Sequence, residues 1–401
     1  MAHTDLEVKK HCAQFEPPDL PPVVAVEVTP NGWRGLTLDG MVLNVESNSI
    51  PYGGRVEVHR GGAPVGFRKL PDHASPGLIE RYLRCVDIAK RAVQSGHLPN
   101  ALLAIETAMA FVPTLAAQYS HGMIQMEMGR WREGLADYKY AMEYPGSMFA
   151  RSQYRDCIDY GLKRWHGEDI SGKKLLLIHD HGFGDSIMML RYVPMLKAMG
   201  AEVVLWLPQE LERLAQQCAP VTREIVSADY FCPLLFLLDV LQQTPETIPI
   251  RAYLAVDPAL FLKWKKQTDR SQRIVGVAWT PSVVHEQDYP RAIPLGMLVK
   301  ALPGVRLISL QKQGGFDARL MGVEQPLFED FADCAALMAC CDEIVTIDTA
   351  AVHLAGAIGH PNIKLLLSHW ASWRWLSPLY PNIKICRQDK ADDWNSALEK
   401  L

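Results

Sequence analysis

One pattern constrains this chain more than any other: after Ser171, apolar runs of buried-strand length are each followed by a turn and then a helical period. Residues 174–178 form such a run. A glycine-rich turn follows, then a helical pattern over 187–199, Gly200 as its stop, and a second run over 202–207. A strand, helix, strand unit of this kind gives parallel strands joined by a right-handed crossover. The pattern returns at 273–279, 306–310, 343–347 and 363–367, with helical segments between them. The two stretches part near 257–271, so the expected architecture is two parallel sheets facing across a cleft.

Ahead of this region the texture differs. Residues 22–69 are short β-branched runs cut by Asn31-Gly32, Asp39-Gly40, Gly53-Gly54 and Gly61-Gly62, turn pairs that tolerate positive φ, which predicts a small antiparallel β unit. Residues 70–76, with Pro71 and Pro76, read as a linker. From 77 to about 145 the period is helical and repeats with a shift of 33 residues. Gly96 falls on Gly129, Ala101 on Gly134, Ala104 on Asp137 and Ala108-Met109 on Ala141-Met142. A period near 33 with small residues at these places is typical of stacked helical hairpins. At 401 residues the chain exceeds one ordinary core, and four domains are expected: 1–75, 76–165, 166–262 and 263–401.

Bulk composition excludes several classes. A formal charge of -4, with no basic block, argues against nucleic acid as the main partner. The nine cysteines are scattered without a C-x-x-C pair, which suggests neither a zinc framework nor a disulfide ladder and fits a reducing, cytoplasmic setting. No run of about 18 apolar residues is present, and residues 1–16 lack the apolar core of an export signal, so no membrane span is expected.

Candidate chemistry gathers at strand ends, where open α/β sheets bind ligands. The first group is His179-Asp180-His181-Gly182-Phe183-Gly184-Asp185. Asp185 near a helix start is either a cap or a base facing the cleft, and His179 and His181 are either ordinary loop histidines or part of the chemistry. The second group runs from Asp348 through Thr349, Ala350 and His353 to Ala357. Thr349 and the first helical amides could hold an anion, and His353 lies on the same helix face as Thr349. The third is Ser309-Leu310-Gln311-Lys312, where Lys312 could neutralise a phosphate or simply be solvated. Residues 368–375, with Trp370, Trp373, Arg374 and Trp375, are suited to stacking or to core filling.

Taken in this order, Gly182-Phe183-Gly184-Asp185, Arg191-Tyr192-Val193-Pro194, Ser309-Leu310-Gln311-Lys312, Asp348-Thr349 with His353 to Ala357, and Trp373-Arg374-Trp375-Leu376 resemble one family. It is that of bacterial tetratricopeptide-repeat glycosyltransferases with a lipopolysaccharide-heptosyltransferase-like catalytic region, more distantly similar to O-linked N-acetylglucosamine transferases. The resemblance implies a multidomain α/β chain: a β unit, a tetratricopeptide-like helical module, then two Rossmann-like lobes of the glycosyltransferase-B fold. It implies an inverting, metal-independent glycosyltransferase with no cofactor. The donor would be a nucleoside diphosphate sugar and the acceptor a protein, glycan or other large molecule reached through the helical module, in a chain that could form oligomers. On this resemblance Asp185 is the base, with His181 beside it. Gly184, Arg291, Gln311, Lys312, Asp348, Thr349, Ala350 and His353 line the donor. The alternative is a non-catalytic scaffold with a vestigial nucleotide-sugar region. One departure is Asp180-His181, where relatives carry Glu-Gln.

Overall fold

A computed structural model of the chain describes residues 6–9, 22–30, 32–45, 55–60, 63–69, 76–143, 152–268, 271–281, 291–312, 315–369 and 372–401. Asn31, Gly53-Gly54, Gly61-Gly62, Trp370 and most of the 70–76 linker lie outside the described residues. The chain divides into two compact units, 1–151 and 152–401.

In the first unit, β1 (Leu6–Lys9), β2 (Val23–Thr29), β3 (Gly32–Thr37), β4 (Val42–Val45), β5 (Arg55–Arg60) and β6 (Ala63–Lys69) form one sheet of order β2-β3-β4-β1-β5-β6. The unit is not purely antiparallel as expected, because β1, unforeseen in the sequence, pairs in parallel with β4. Two helical hairpins follow: α1 (Leu78–Gln94) with α2 (Leu98–Phe111), and α3 (Leu115–Glu127) with α4 (Trp131–Glu143). Gly96 and Gly129, superposed by the 33-residue shift, follow α1 and α3 with φ of 70° and 80°. A left-handed residue there ends a helix cheaply only when it is glycine. Gly122 and Gly134 bring α3 and α4 together, since a Cβ on Gly134 would stand 2.4 Å from the Gly122 carbonyl oxygen. His121 on α3 places Nδ1 2.5 Å from Asp137 of α4 and Nε2 3.6 Å from Glu106 of α2. The Asp137 hydrogen bond pulls its pKa above the usual value.

Sheet and hairpins share one core. Ala25 and Leu36 pack with Ile79, Tyr82, Ala101 and Ile105, and the Leu115 amide donates to the Leu38 carbonyl at 2.6 Å. The segment 1–75 and the helices as far as residue 151, read from sequence as parts of two domains, 1–75 and 76–165, lie in one compact unit.

The second unit opens with α5 (Ser152–Asp159) and β7 (Lys163–Arg164). It continues with β8 (Lys174–Ile178), α6 (Phe183–Met189), α7 (Val193–Ala198), β9 (Glu202–Trp206), α8 (Gln209–Ala215), β10 (Val221–Thr222), β11 (Tyr230–Pro233) and α9 (Leu237–Val240). These strands make a parallel sheet of order β10-β9-β8-β11-β7. Since β7 pairs with β11, residues 152–165 belong to this α/β unit and not to the helical module.

A second parallel sheet follows α10 (Pro258–Gln267), built from β12 (Ile274–Ala278), α11 (Leu295–Ala301), β13 (Arg306–Ser309), α12 (Gly315–Leu320), β14 (Val323–Glu324) and α13 (Phe331–Met338). It is completed by β15 (Glu343–Ile347), α14 (Ala350–Ala357), β16 (Ile363–Leu367), β17 (Ile383–Arg387) and α15 (Trp394–Leu398), in the order β14-β13-β12-β15-β16-β17. Every residue of β12 and β15 is buried, as a sheet covered on both faces requires. The Trp264 indole N–H on α10 donates to Asp333 on α13 at 2.7 Å, so α10 goes with the second lobe and the expected 262/263 boundary falls inside it. In each sheet the strand order reverses at one place, beside β8 and beside β12. Such reversals open the crevice in which α/β sheets hold ligands.

Candidate functional site

At the carboxyl end of β8 the chain turns through His179, Asp180, His181 and Gly182 into α6. Buried Asp180 accepts from the Leu235 amide at 3.3 and 3.4 Å, fastening this turn to the residues after β11 across the reversal point. His181 Nδ1 stands 3.3 Å from Asp180, and His179 Nδ1 bonds the Ser186 hydroxyl at 2.8 Å. Asp185 is the third residue of α6. Its Oδ2 accepts from the Gly182 amide at 3.3 Å, while its Oδ1 accepts from Arg374 Nε at 2.7 Å and Nη2 at 2.5 Å. The carboxylate thus caps its own helix and reaches the other lobe. Burial alone would raise its pKa; Arg374, with His181 and His353, outweighs burial and holds it at about 2.

The opposing reversal point is built alike. β15 ends at Ile347, Asp348 follows, and Thr349 caps α14 by accepting from the Ala351 amide at 3.4 Å. The first turn of α14 lies directly against α6. A Cβ on Gly184 would come within 2.9 Å of His353 Cδ2 and 3.3 Å of Ala350 Cα, so only glycine permits this approach. His353 is buried, bonds the Tyr380 hydroxyl through Nδ1 at 3.0 Å, and stacks on Trp375 with centroids 5.3 Å apart. Burial pushes its pKa down to about 4 although Asp348 and Asp185 pull upward, so the ring is neutral near pH 7. Gly356 faces Tyr380, whose ring would lie 2.2 Å from an added Cβ.

Gly184, Asp185, Asp348, Thr349, Ala350 and His353 are therefore brought together, and Arg291 joins them by donating Nη1 to the Asp348 carbonyl at 3.1 Å. The Arg291 Nε is buried without a hydrogen-bond partner among the described residues. Gln311 is a brace: its Oε1 accepts from the Trp279 amide at 2.9 Å and the Thr280 amide at 3.3 Å, fixing the chain after β12. Exposed Lys312 donates to the Glu329 carbonyl at 2.7 Å, next to Asp330, which caps α13. Among the described residues no three His, Cys, Asp or Glu side chains converge as a metal-ligand set, and no helix is long and apolar enough to cross a membrane.

Sequence reasoning found no partner for three arginines. Arg374 carried a signal, a cation between two tryptophans, but no hint of its partner. Arg191 is buried between the rings of Tyr253 and Tyr380, with its guanidinium carbon 5.2 and 4.9 Å from their centroids. It donates to the carbonyls of Met188, Pro249 and Leu379 at 2.8, 2.6 and 3.3 Å, stitching the first lobe to the crossover segment and the second lobe. Arg213 on α8 makes a bidentate pair with Asp330, both bonds 2.9 Å.

No family model matches the chain. It is similar to Protein FlbA of Caulobacter vibrioides, 24% identical over 383 residues, covering 76% of this chain and 64% of the relative. The chain thus spans under two thirds of that relative's length. Among solved structures, a family 9 glycosyl transferase of Veillonella parvula aligns with a TM-score of 0.42 and 10% identity, over 56% of this chain and 88% of that one. The ADP-heptose lipopolysaccharide heptosyltransferase II of E. coli aligns at 0.39 and 14%, over 57% and 97%. An O-GlcNAc transferase of Thermobaculum terrenum aligns at 0.26 and 11%, over 81% and 90%. All three TM-scores are below 0.5, and the functional reading below stands on this chain's own residues.

Proposed function

We propose that residues 152–401 are a glycosyltransferase of the glycosyltransferase-B kind, moving a sugar from a nucleoside diphosphate donor to a large acceptor with inversion and without a metal. The observation that carries this is the meeting of two reversal points in one small volume, with Asp185 on one side and the N-terminus of α14 on the other. In this reading the acceptor hydroxyl attacks the anomeric carbon and gives its proton to Asp185. The bond from that carbon to the diphosphate breaks with its electron pair going to the leaving group. Free amides at a helix start favour an anion, and fixed dipoles aimed at developing charge are an effective catalytic device. Thr349, the amides after it, Arg291 and Lys312 supply that field. Neutral His353 and Asp348 line the nucleotide, and Gln311 holds the wall. His181 tunes the charge of the base. The hairpins α1 to α4 are a tetratricopeptide-like module for the acceptor, in a protein working in the cytoplasm.

A second reading, a binding scaffold without turnover, is favoured by one observation: the base is held as an ion pair with a pKa of about 2, where it takes protons poorly. Two measurements separate them. Nucleoside diphosphates of all common bases, each at 100 times its dissociation constant, should stabilise the fold by about 2.7 kcal/mol. Sugar transfer, followed by diphosphate release, should fall about 100-fold or more in Asp185→Asn while donor binding persists. A folded protein that binds no diphosphate would sink the enzyme reading. Full transfer by Asp185→Asn would remove the base.

A further inference from the structure

The contacts of Arg374 suggest more than a static ion pair. It reaches Asp185 of the first lobe from the segment after β16. Asp185 follows Gly184, whose added Cβ would stand 3.3 Å from Ala350 Cα at the start of α14, and the guanidinium bonds Asp185 Oδ1 at 2.7 Å. His353, one turn into α14, senses the charges of both Asp185 and Arg374. The guanidinium also lies 4.4 Å from the centroid of the Trp373 ring, and Nη1 donates to Ser372 Oγ at 2.9 Å. A cation thus supported keeps a platform when its carboxylate partner is exchanged for another anion.

Resting on the glycosyl-transfer reading, we propose that Arg374 is a shared residue: it holds Asp185 while the site lacks donor, and the donor's diphosphate draws it away and so releases the carboxylate as a base. The exchange joins donor binding to base activation. Among the described residues the groups facing Asp185 include Arg374, His181 and His353, together with the Gly182 amide. Arg374 is the permanently charged member of that set. Its transfer to a phosphate leaves Asp185 half-buried with two imidazoles for company, and the loss of water then raises its affinity for a proton. The proton comes from the acceptor hydroxyl, whose oxygen forms the new bond to the anomeric carbon as the diphosphate departs. Acceptor arriving before donor would meet a base that is still occupied.

The test uses the full chain and inorganic pyrophosphate, which needs no knowledge of sugar or base. Its dissociation constant is measured by calorimetry for the parent, Asp185→Asn, Arg374→Ala and the double variant. Asp185→Asn removes the carboxylate that competes for Arg374, so pyrophosphate should bind about tenfold or more tightly, the scale of one charge-assisted hydrogen bond. That gain should disappear in the double variant, and Arg374→Ala alone should weaken binding by a similar factor. Arg374→Lys, which keeps the charge without the fork, should give an intermediate value. If Asp185→Asn tightened binding equally with and without Arg374, the effect would be simple charge removal and the exchange would be overturned. Pyrophosphate binding unaffected by Arg374→Ala, or absent from both the parent and Asp185→Asn, would overturn it too. The donor panel above is a separate readout, so loss of the exchange and loss of the transferase reading are told apart.

Discussion

Substituting alanine for Gly184 adds one methyl group at a point of close approach between α6 and α14. Gly184 is not in the left-handed region, so alanine meets no backbone penalty and the effect is steric. The methyl carbon would stand 2.9 Å from His353 Cδ2 and 3.3 Å from Ala350 Cα. His353 cannot swing aside, being stacked on Trp375 and bonded to Tyr380, and Ala350 presents backbone. The helices α6 and α14 must therefore separate by several tenths of an ångström. Overpacking of this kind costs about 1–3 kcal/mol, against which the better helix preference of alanine returns up to about 1 kcal/mol. The net loss, up to about 3 kcal/mol, should lower the melting temperature by roughly 2–4 °C per kcal/mol for a unit of this size. Gly296→Ala is the control: it lies on α11, exposed, with nothing within 4 Å of its added Cβ. Thermal unfolding of the two variants should move in opposite directions or leave only Gly184→Ala destabilised. Equal melting temperatures would refute the close approach, and with it the shared site.

Lys312→Ala should weaken a nucleoside diphosphate more than the matching nucleoside, by about tenfold or more, as titration of both ligands would show; equal losses would take Lys312 off the phosphates. His353 is neutral in the fold with its pKa pushed down to about 4 by burial, whereas the unfolded chain protonates near 6.5. Its contribution is therefore complete above about pH 6.5 and lost as pH falls towards 4, about 2.5 pH units or roughly 3 kcal/mol, and urea unfolding of His353→Gln should lack that part of the acid slope. His121 behaves oppositely: its pKa is raised, chiefly by the Asp137 hydrogen bond, so its contribution is complete below about pH 6.5 and lost as pH rises through the raised value. His121→Gln should remove that alkaline loss, and a parallel loss in both proteins would dismiss the Asp137 contact as its source.

The α/β half was legible because its strands are buried on both faces and so appear as unbroken apolar runs. The run 174–178 is β8 residue for residue, and 343–347 is β15. The positions of Asp185 and Thr349 followed from the same logic, since strand ends are where helix starts and ligands meet. What escaped was either short or distant. β7 is two residues long, too brief to carry a period, and its omission displaced the domain boundary to 165. The core that Leu36 shares with Ile79 was not legible either, because separate periods do not reveal a shared core. Arg374 lies 189 residues from Asp185 along the chain. Nothing local in a sequence says which carboxylate a tryptophan-flanked arginine will find.

The environments of the two central groups explain why they coexist. Asp185 and His353 are both drawn out of water, a change that by itself favours the neutral form of each. Arg374 reverses that preference for the carboxylate and, as a nearby cation, reinforces it for the imidazole. One guanidinium therefore keeps a charged acid and an uncharged ring side by side across the lobe junction. Moving it changes both at once: the carboxylate gains affinity for a proton, and the imidazole loses a repelling neighbour. Asp185 and His353 are in this sense one electrostatic unit, joined through Arg374.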